Sequence, residues 1–316
     1  MLGAVPAKST LRWSVSAQGA DRARLAVQRA VLAPFELLHL RGGARAATLV
    51  GRFVGPYQRP LVARAAPNIA VSFMGFDRYW TRVFLRGDSY EPELESLFRR
   101  LQHPAGWDFL DGGANIGLWS AVLTSPAFGM RRAVAVEASR STFERLAATT
   151  ALCDGRFTAV HAALGAADGV GWFEEDLPIA SRHLVADQSS PTSVAVAMTS
   201  IDSLVAKHGL HPSNLLIKLD VEGAEIACID GAATSFGAGA VVLYEDHGKD
   251  PTSAVTRELL ARGAACWFIH DDGSLERILD AADVARHKIE PNRGYNFVAV
   301  AGEYDRTSPT ERRLFG

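Results

Sequence analysis

From residue 107 onward, short apolar runs alternate with segments of helical periodicity, and this alternation constrains the fold more than any other feature of the chain. Continuous apolar runs separated by helices are typical of a parallel sheet that is covered on both faces. The pattern therefore predicts an α/β fold with a doubly wound, mostly parallel, Rossmann-like sheet of seven strands. The candidate strands span residues 107–111, 133–137, 157–162, 215–220, 240–245, 266–270 and 297–300.

The first part of the chain has a different pattern and predicts an N-terminal extension at residues 1–87, followed by the larger domain at 88–316. Apolar residues at helical spacing predict a helix or a helix pair over residues 21–41, and glycines from Gly42 onward interrupt that pattern. We expect this extension to serve as a cap or as an oligomerisation element.

Three further segments give local expectations. Residues 68–86 predict two short strands, and leucines at helical spacing predict a helix over residues 91–101. Residues 169–199 carry glycine, proline and serine where a compact fold would place a helix. They predict a hairpin and a loop beside the rim of the site.

Charge is distributed unevenly along the chain, although the net charge is only −2. Residues 1–60 carry nine Lys or Arg and two acids, which gives +7, and the remaining 24 basic and 33 acidic residues give −9. The basic start is compatible with a transit peptide, with an anionic surface or acceptor, or with the solvated face of a helix. The acidic remainder, which has no basic stripe, disfavours a nucleic-acid partner.

Cysteine content and hydropathy indicate a cytoplasmic protein. The three cysteines lie far apart without CxxC spacing, which argues against a disulfide framework and against a zinc site. The apolar stretches are strand-sized and interrupted, so the sequence predicts no transmembrane segment.

The strongest local signal is the segment DGGANIG, in which a strand leads through a glycine-rich turn into a helix. Glycines let the backbone approach a ligand, and the helix N-terminus offers unpaired N–H groups. A dinucleotide site would use G-x-G-x-x-G, whereas Gly113 and Gly117 are separated by three residues and no third glycine follows. The pattern D-x-G-x-x-x-G, with Asp111 at the strand end, instead favours S-adenosylmethionine, with Gly117 among the residues expected to bind it. The alternative is an ordinary tight turn in which Asp111 caps a helix.

Glu137 ends the second candidate strand, 20 residues after Gly117. A carboxylate at this position can accept hydrogen bonds from the ribose hydroxyls of an adenosyl group. Considered alone, Glu137 could equally be a strand-end acid that faces water.

The segment KLDVEGAE, residues 218–225, places charged residues at the end of the fourth candidate strand. Lys218 and Asp220 point to the same face of a strand, and the carboxyl ends of central strands line the ligand crevice. Lys218 could also be a buried partner for an acid. Glu222 and Glu225 could simply favour the positive end of a helix dipole.

The segment Glu245-Asp246-His247 ends the fifth candidate strand, next to the fourth. Methyl transfer to a hydroxyl needs a general base or a metal that acidifies the alcohol. His247 or Asp220 could be the base, whereas Asp220, Glu245 and Asp246 could hold Mg²⁺ through oxygen ligands. The residues leave both possibilities open.

Over about residues 85–300, the chain resembles the FkbM family of S-adenosylmethionine-dependent methyltransferases. DGGANIGLWSAVL is similar to the family's DVGANIG turn, VAVEAS to its acidic second strand, and TSIDSL followed by IKLDVEGAEIACIDG to its two hallmark segments. The segments YEDHG and NFVAV also fit the pattern of this family. Gly112 stands where the family usually has a larger residue, and Ala138-Ser139 where proline commonly follows the acid.

The resemblance implies a class I methyltransferase sheet with a final antiparallel strand, and O-methylation of a hydroxyl on a sugar, glycan, glycolipid or polyketide-type small molecule. It implies that the cofactor is held by Asp111, Gly113, Asn115 and Glu137. It also implies that the reaction crevice is lined by Asp220, Glu222, Glu245 and Asp246. For Lys218 and Asp202 it is less specific, and Asp202 is interpreted as support for the start of its own helix.

Two alternatives remain at this point. The first is a module that binds S-adenosylmethionine without catalysis, and the second is an NAD-linked oxidoreductase of similar topology. The absence of G-x-G-x-x-G disfavours the second. The sequence is also compatible with a homo-oligomer.

Overall fold

The computed structural model describes residues 10–38, 42–101, 106–129, 132–174, 184–185, 193–291 and 293–302. The end of the helix pair predicted at 21–41 and most of the loop predicted within 169–199 lie outside these residues. The described strands form three separate sheets of three, four and eight strands.

The described strands and helices alternate from residue 108 onward, except at residues 158–199 and 265–278, where strands follow one another, and at 225–237, where two helices do. The strands are β1 (Ser14–Ser16), β2 (Leu61–Ala66), β3 (Ile69–Phe73), β4 (Asp108–Gly112), β5 (Ala133–Glu137), β6 (Thr158–His161), β7 (Ala163–Leu164), β8 (Gly169–Glu174), β9 (Leu184–Val185), β10 (Ser193–Thr199), β11 (Leu215–Leu219), β12 (Val241–His247), β13 (Ala265–Ile269), β14 (Leu275–Ile278) and β15 (Gly294–Val300). The helices are α1 (Asp21–Leu37), α2 (Gly43–Val54), α3 (Arg78–Phe84), α4 (Pro92–Arg100), α5 (Leu118–Leu123), α6 (Arg140–Leu152), α7 (Ile201–His208), α8 (Glu225–Asp230), α9 (Ala233–Gly237), α10 (Ala254–Ala261) and α11 (Ala281–His287).

The large sheet has the strand order β14-β13-β15-β12-β11-β4-β5-β6. The strands from β12 to β6 are parallel, whereas β15 runs antiparallel to both of its neighbours. This is the predicted doubly wound, mostly parallel sheet with the antiparallel last strand that the resemblance implies, and all seven candidate strands are confirmed. The prediction of seven strands was one too few, because β14 pairs antiparallel with β13 and extends the edge.

The two faces of this sheet bury two hydrophobic clusters, as strand alternation requires. One cluster contains Phe109 and Leu216 together with residues of α4, α5 and the N-terminal sheet. The other contains Leu110 and Ile217 together with residues of α7, α8 and α10. Functional side chains at the carboxyl ends of the strands therefore project to one of two defined sides.

The N-terminal three-stranded sheet packs on the first of these faces, against α5 and α6. The hydroxyl of Thr149 accepts a hydrogen bond from the backbone N–H of Ser72, at 2.9 Å, and Sγ of Cys153 contacts the carbonyl of Ala70 at 3.3 Å. The N-terminal residues thus share one core with the larger domain, and a boundary near residue 88 stays a prediction.

Two local predictions for the N-terminal region were wrong. The second strand expected within 68–86 is helix α3, because Asp77 accepts hydrogen bonds from the N–H groups of Tyr79 and Trp80 and so caps a helix start. The glycines after Gly42 do not end the helical pattern, since α2 contains Gly51. A Cβ on Gly51 would lie 2.7 Å from the ring of Phe76, so glycine permits this contact.

The hairpin predicted within 169–199 is confirmed as β8 paired antiparallel with β10. It belongs to the four-stranded sheet, with β7 and β9 at the edges. Within the described segments, every helix is too short or too polar to cross a lipid bilayer.

Candidate active site

A cavity of about 400 Å³ opens where β4, β5, β11 and β12 end. This is the edge at which open α/β sheets bind ligands. Seven of the residues singled out from the sequence line it: Gly113, Asn115, Glu137, Asp220, Glu222, Glu245 and His247. They reach it because they lie at or just after the carboxyl ends of neighbouring parallel strands.

The glycine turn brings the backbone against the end of β11. Gly113 has φ +71°, and a Cβ there would lie 1.8 Å from the carbonyl oxygen of Asp220, so only glycine fits. A Cβ on Gly112 would lie 2.6 Å from the side chain of Leu164. Leu164 thus fills the space that the family's usual larger residue would need, which explains the departure at Gly112.

Asn115 and Glu137 lie against each other on one wall of this cavity. The backbone N–H groups of Asn115 and Ser139 donate hydrogen bonds to the two carboxylate oxygens of Glu137, at 3.0 and 2.9 Å. Asn115 has the left-handed φ of +52°, which asparagine tolerates. Its Oδ1 atom is buried and has no hydrogen-bond partner among the described residues. Such an orphaned acceptor beside an oriented carboxylate points to a polar ligand.

Asp111 and Gly117 lie behind the described lining of the cavity, although the sequence predicts both as cofactor contacts. Asp111 is 1% exposed and accepts a hydrogen bond from the hydroxyl of Ser120 at 2.7 Å. Burial raises its pKa to about 6, against the opposing effect of Lys218. Gly117 has φ +80° at the start of α5, where a Cβ would lie 2.6 Å from Leu146. Both residues support the loop from below.

Lys218 is a buried cation beneath the floor of the cavity. Its Nζ donates a hydrogen bond to Oδ2 of Asp220 at 3.1 Å and lies 3.9 Å from Oε1 of Glu91. In the sheet, Lys218 is paired in register with Asp111 of β4. Burial by itself lowers the pKa of Lys218. The surrounding carboxylates outweigh that effect and raise the pKa above its ordinary value. Of the two roles considered for Lys218, the geometry supports that of a buried partner for acids.

Glu245 lies on the cavity wall opposite Gly294. A Cβ on residue 294 would lie 1.7 Å from Oε1 of Glu245, so the glycine makes room for this carboxyl group. Burial, followed by the charges of Asp220 and Glu91, raises the pKa of Glu245 to about 9, and Lys218 only partly offsets this. The side chain is therefore a neutral carboxylic acid at neutral pH.

This raised pKa predicts a pH-dependent effect of Glu245→Gln. The pKa of this carboxyl is 4.5 in the unfolded chain and about 9 in the folded chain. As the pH rises between those values, ionisation of the carboxyl therefore lowers the free energy of unfolding. We expect the variant and the wild type to have the same melting temperature at about pH 5, and the variant to have the higher melting temperature at about pH 8. Scanning calorimetry at both pH values measures this, with Glu258→Gln on the surface of α10 as the control. An equal difference at both pH values would contradict the raised pKa.

His247 lines the cavity, but its hydrogen bonding disfavours the predicted role as a base. Its Nδ1 accepts a hydrogen bond from the backbone N–H of Lys249 at 3.0 Å. Because a backbone N–H can only donate, the neutral ring carries its proton on Nε2 and cannot accept another there. Burial and the charges of Lys249 and Lys288 lower the pKa of His247.

Asp246 does not join Asp220 and Glu245, so the structure does not bring the three predicted magnesium ligands together. As the neighbour of Glu245 in β12, it projects to the opposite face. There it accepts hydrogen bonds from the hydroxyl of Thr256 at 2.8 Å and from Lys288 at 2.6 Å. In the described part of the chain, no group of three His, Cys, Asp or Glu is placed to hold a metal ion. The Mg²⁺ prediction thus has no support from the structure.

The turn after β11 positions Glu222 at the cavity. Glu222 is exposed and has the left-handed φ of +50°, a conformation that is strained for a residue with a side chain. Oε1 of Glu225 accepts hydrogen bonds from the N–H groups of Gly223 and Val221, at 3.2 and 3.4 Å, and so stabilises the turn.

Asp202 has a capping role, but for a different helix from the one predicted. Its own helix, α7, is capped by Ser200, whose hydroxyl accepts from the N–H of Ser203. Asp202 accepts hydrogen bonds from the N–H groups of Thr234 and Ser235, at 2.8 and 2.9 Å, at the start of α9.

Sequence reasoning missed an aromatic wall of the cavity, which comes from the N-terminal part of the chain. Tyr79, Trp80 and Tyr90 line the cavity together with Asp77. The ring centroids of Tyr79 and Tyr90 are 5.9 Å apart in an edge-to-face arrangement. The available signal was Asp77, a residue type that favours a helix start, shortly before Tyr79 and Trp80, whereas the apolar residues that follow favour a strand.

A second cavity of about 390 Å³ adjoins the first and shares Tyr79, Tyr90, Asp220, Glu245 and Gly294 with it. We call it the outer chamber. Its remaining polar lining residues are Ser89, Glu91, Glu93, Asp271, Arg293 and Asn296. Asp220 therefore stands at the junction of the two cavities.

Hydrogen bonds fix the acids of the outer chamber. Nδ2 of Asn296 donates to Glu93 at 2.9 Å and to Glu91 at 3.3 Å. Burial, followed by the charge of Glu91, raises the pKa of Glu93. The basic residue Arg293 pairs with Asp271 at 3.1 Å. Acids thus predominate over bases on the described walls of the chamber.

Comparison with known proteins identifies the family. Residues 111–265, which include the glycine turn and the ends of β11 and β12, match the model of the methyltransferase FkbM domain. The chain contains an FkbM methyltransferase domain. It is thus a methyltransferase, and the resemblance seen in the motifs is confirmed. The oxidoreductase alternative has no support.

Relatives of this FkbM domain include a hexuronic acid methyltransferase, AglP, from Haloferax volcanii, which is 27% identical over 203 residues, covering 62% of this chain and 79% of that protein. Among solved structures, methyltransferase FkbM from Methylobacillus flagellatus is 14% identical with a TM-score of 0.38, over 61% of this chain and 43% of that one. An O-methyltransferase from Bacillus cereus in complex with SAH is 12% identical with a TM-score of 0.38, and the match covers 67% of this chain and 82% of that one.

Proposed function

We propose that this methyltransferase binds S-adenosylmethionine in the cavity at the glycine turn and methylates a hydroxyl group of a sugar, glycan or similar polyhydroxylated molecule. The observation that carries the proposal is the junction of two cavities at Asp220, one lined by the glycine turn and the other by polar groups. A donor and an acceptor can thus meet at one carboxylate.

The residues of the first cavity fit the cofactor. Gly113 allows close backbone approach, Asn115 offers an unsatisfied Oδ1, and the oriented carboxylate of Glu137 can accept from hydroxyl groups. The aromatic residues Tyr79 and Tyr90 close the side towards the outer chamber. When bound, the cofactor supplies a methyl group attached to a sulfonium centre.

Asp220 is the residue that we assign to accept the proton of the acceptor hydroxyl. A hydroxyl becomes a better nucleophile when a base within hydrogen-bond reach takes its proton in the transition state. The carboxylate of Asp220 is accessible from both cavities and is held by Lys218 through one oxygen. Lys218 is a positioning residue in this mechanism.

The outer chamber also suggests the charge of the acceptor. Five acids line the described walls of the chamber and only Glu245 among them is assigned a neutral form, whereas the one arginine on these walls is paired with Asp271. A carboxylate on the acceptor would meet like charges there, which are unfavourable at close range. We therefore propose an acceptor that is uncharged around the reacting hydroxyl, in contrast to the hexuronic acid named for AglP.

Cofactor binding is tested by calorimetry with S-adenosylhomocysteine and with NAD. We expect binding of the first only, and a dissociation constant at least about tenfold higher for Glu137→Ala, because loss of one charge-assisted contact costs about 1.5 kcal/mol or more. Glu144→Ala, an exposed acid on α6, is the matched control and should bind normally. Binding of NAD instead would refute the cofactor assignment.

The reaction is tested with labelled S-adenosylmethionine and paired methyl glycosides, one neutral and one a uronide. We expect label transfer to the neutral glycoside and a lower rate with the uronide. Cofactor binding without transfer to any member of a broad hydroxyl panel would favour the non-catalytic module. Preferential transfer to the uronide would contradict the proposed acceptor charge.

A further inference from the structure

Large apolar side chains are exposed on the helix pair α1–α2, far along the chain from the residues of the glycine turn. Of the eleven exposed large hydrophobic residues in the described part of the chain, five lie between residues 27 and 53. They are Val27, Leu37, Leu38, Leu49 and Phe53, and the exposed fractions of Leu37 and Phe53 reach 81% and 84%. Clustered exposed apolar groups mark contact surfaces.

On α1 the exposed side is apolar along most of the helix. Leu25, Gln28 and Leu32 face the core, and the residues on the opposite side are small or apolar. These exposed residues are Ala23, Ala26, Val27, Ala30, Ala33 and Leu37. A helix that faced only water would carry polar residues there.

The side chains of Arg22 and Arg29 border this apolar side of α1. Arg22 donates to the carbonyl of Ala17 at 3.4 Å and Arg29 to the carbonyl of Val15 at 3.0 Å. Each arginine can make several further hydrogen bonds from the same guanidinium group. The border of the apolar surface is thus cationic.

On α2 the exposed residues Arg45, Leu49 and Phe53 are spaced four residues apart and so share one face. The inner face carries Gly43 and Gly51, where a Cβ would lie 2.9 Å from Phe35 and 2.7 Å from Phe76. Because these glycines allow close packing on the core side, Leu49 and Phe53 are directed outward. We call the exposed residues of α1 and α2 together the α1–α2 surface.

Charge distinguishes between the partners that could cover the α1–α2 surface. Residues 1–60 carry nine basic and two acidic residues, and one of these acids, Asp21, is buried and paired with Arg24. A symmetric dimer through this surface would bring Arg22, Arg29 and Arg45 of one copy close to the same arginines of the other, because an isologous interface uses the same patch twice. An anionic lipid surface complements both the arginines and the apolar side chains.

We propose that the α1–α2 surface binds an anionic lipid bilayer peripherally, with Leu49 and Phe53 inserted at the headgroup level. The surface lies outside the two cavities, so this binding does not depend on the proposed function. It would bring the methyltransferase to acceptors that are held at a membrane surface.

The test is co-sedimentation of the full chain with vesicles of phosphatidylcholine alone or mixed with phosphatidylglycerol. We expect binding to the mixed vesicles only, weakened by salt. The neutral double variant Leu49→Ser/Phe53→Ser should reduce the bound fraction by about tenfold. The control Leu279→Ser/Ile289→Ser, which changes two other exposed apolar residues, should not. Arg45→Gln should weaken binding to a smaller extent.

Three results would overturn the proposal. The first is that the chain binds both kinds of vesicle equally, or binds neither. The second is that Leu49→Ser/Phe53→Ser binds the mixed vesicles as well as the wild type does. The third is a dimer in light scattering that this double variant dissociates, which would assign the surface to a second copy of the chain. Circular dichroism and binding of S-adenosylhomocysteine verify that each variant is folded, and failure of the latter in the wild type would affect only the proposed function.

Discussion

Asp220→Asn is expected to lower the turnover number for methyl transfer by about 10²- to 10⁴-fold, the range typical for loss of a general base. Asparagine keeps the size of the side chain and its place beside Lys218, but it cannot accept the hydroxyl proton. The affinity for S-adenosylhomocysteine should change little, because Gly113, Asn115 and Glu137, the residues proposed to hold the cofactor, are untouched. Single-turnover kinetics with labelled cofactor, combined with calorimetry, separate the two effects.

The control for this prediction is Asp230→Asn, which removes an acid that is paired with Arg262 on the surface. This variant should retain wild-type turnover. If Asp220→Asn retained it as well, the base would have to be sought elsewhere in the cavity. A parallel loss of turnover and of cofactor affinity would instead indicate a structural role.

The assignment of Asp220 follows from how the other candidates are held. His247 carries its proton on Nε2 because Lys249 donates to Nδ1, and the raised pKa of Glu245 keeps that side chain protonated at neutral pH. Among the residues that line both cavities, Asp220 thus combines access with a paired cation. A neutral Glu245 can donate a hydrogen bond to the acceptor oxygen or to Asp220, which suits it to orientation.

Local features of the site could be predicted from the sequence because they depend on short-range geometry. The spacing of Gly113 and Gly117 fixes a turn that brings the backbone close to a ligand, and alternation places Lys218 and Asp220 on one face. The same alternation separates Glu245 from Asp246, which the prediction of a metal site did not take into account. Parallel pairing in strand order then brings the ends of β4, β11 and β12 together.

The remaining walls of the site could not be predicted, because they depend on contacts between distant segments. Tyr79 and Tyr90 reach the cavity only because the N-terminal sheet packs on α5 and α6. Asn296 meets Glu93 across 203 residues of sequence. Periodicity carries no information about such pairs, and the helix start at Asp77 was obscured by residues that also favour strands.

Lys218→Met is expected to cause the largest loss of stability. The substitution keeps the volume of the side chain but removes the cation from among Asp111, Glu91 and Asp220. Breaking a buried charge pair by removing one partner costs about 3–5 kcal/mol, because the remaining charges stay buried without compensation. Urea unfolding at neutral pH measures this change in the free energy of unfolding.

The pH dependence separates this electrostatic cause from a packing defect. Because the folded-state pKa of Lys218 is raised, its contribution is fully present below the pKa of the unfolded chain and is lost only as the pH rises through the folded-state value. In the variant, the uncompensated carboxyl groups have higher pKa values, so its free energy of unfolding should fall more steeply than that of the wild type between about pH 5 and about pH 8. Lys207→Met, at an exposed position of α7, should change neither stability nor its pH dependence. A loss in Lys218→Met that is the same at every pH would assign Lys218 to packing alone and remove the basis for its positioning of Asp220.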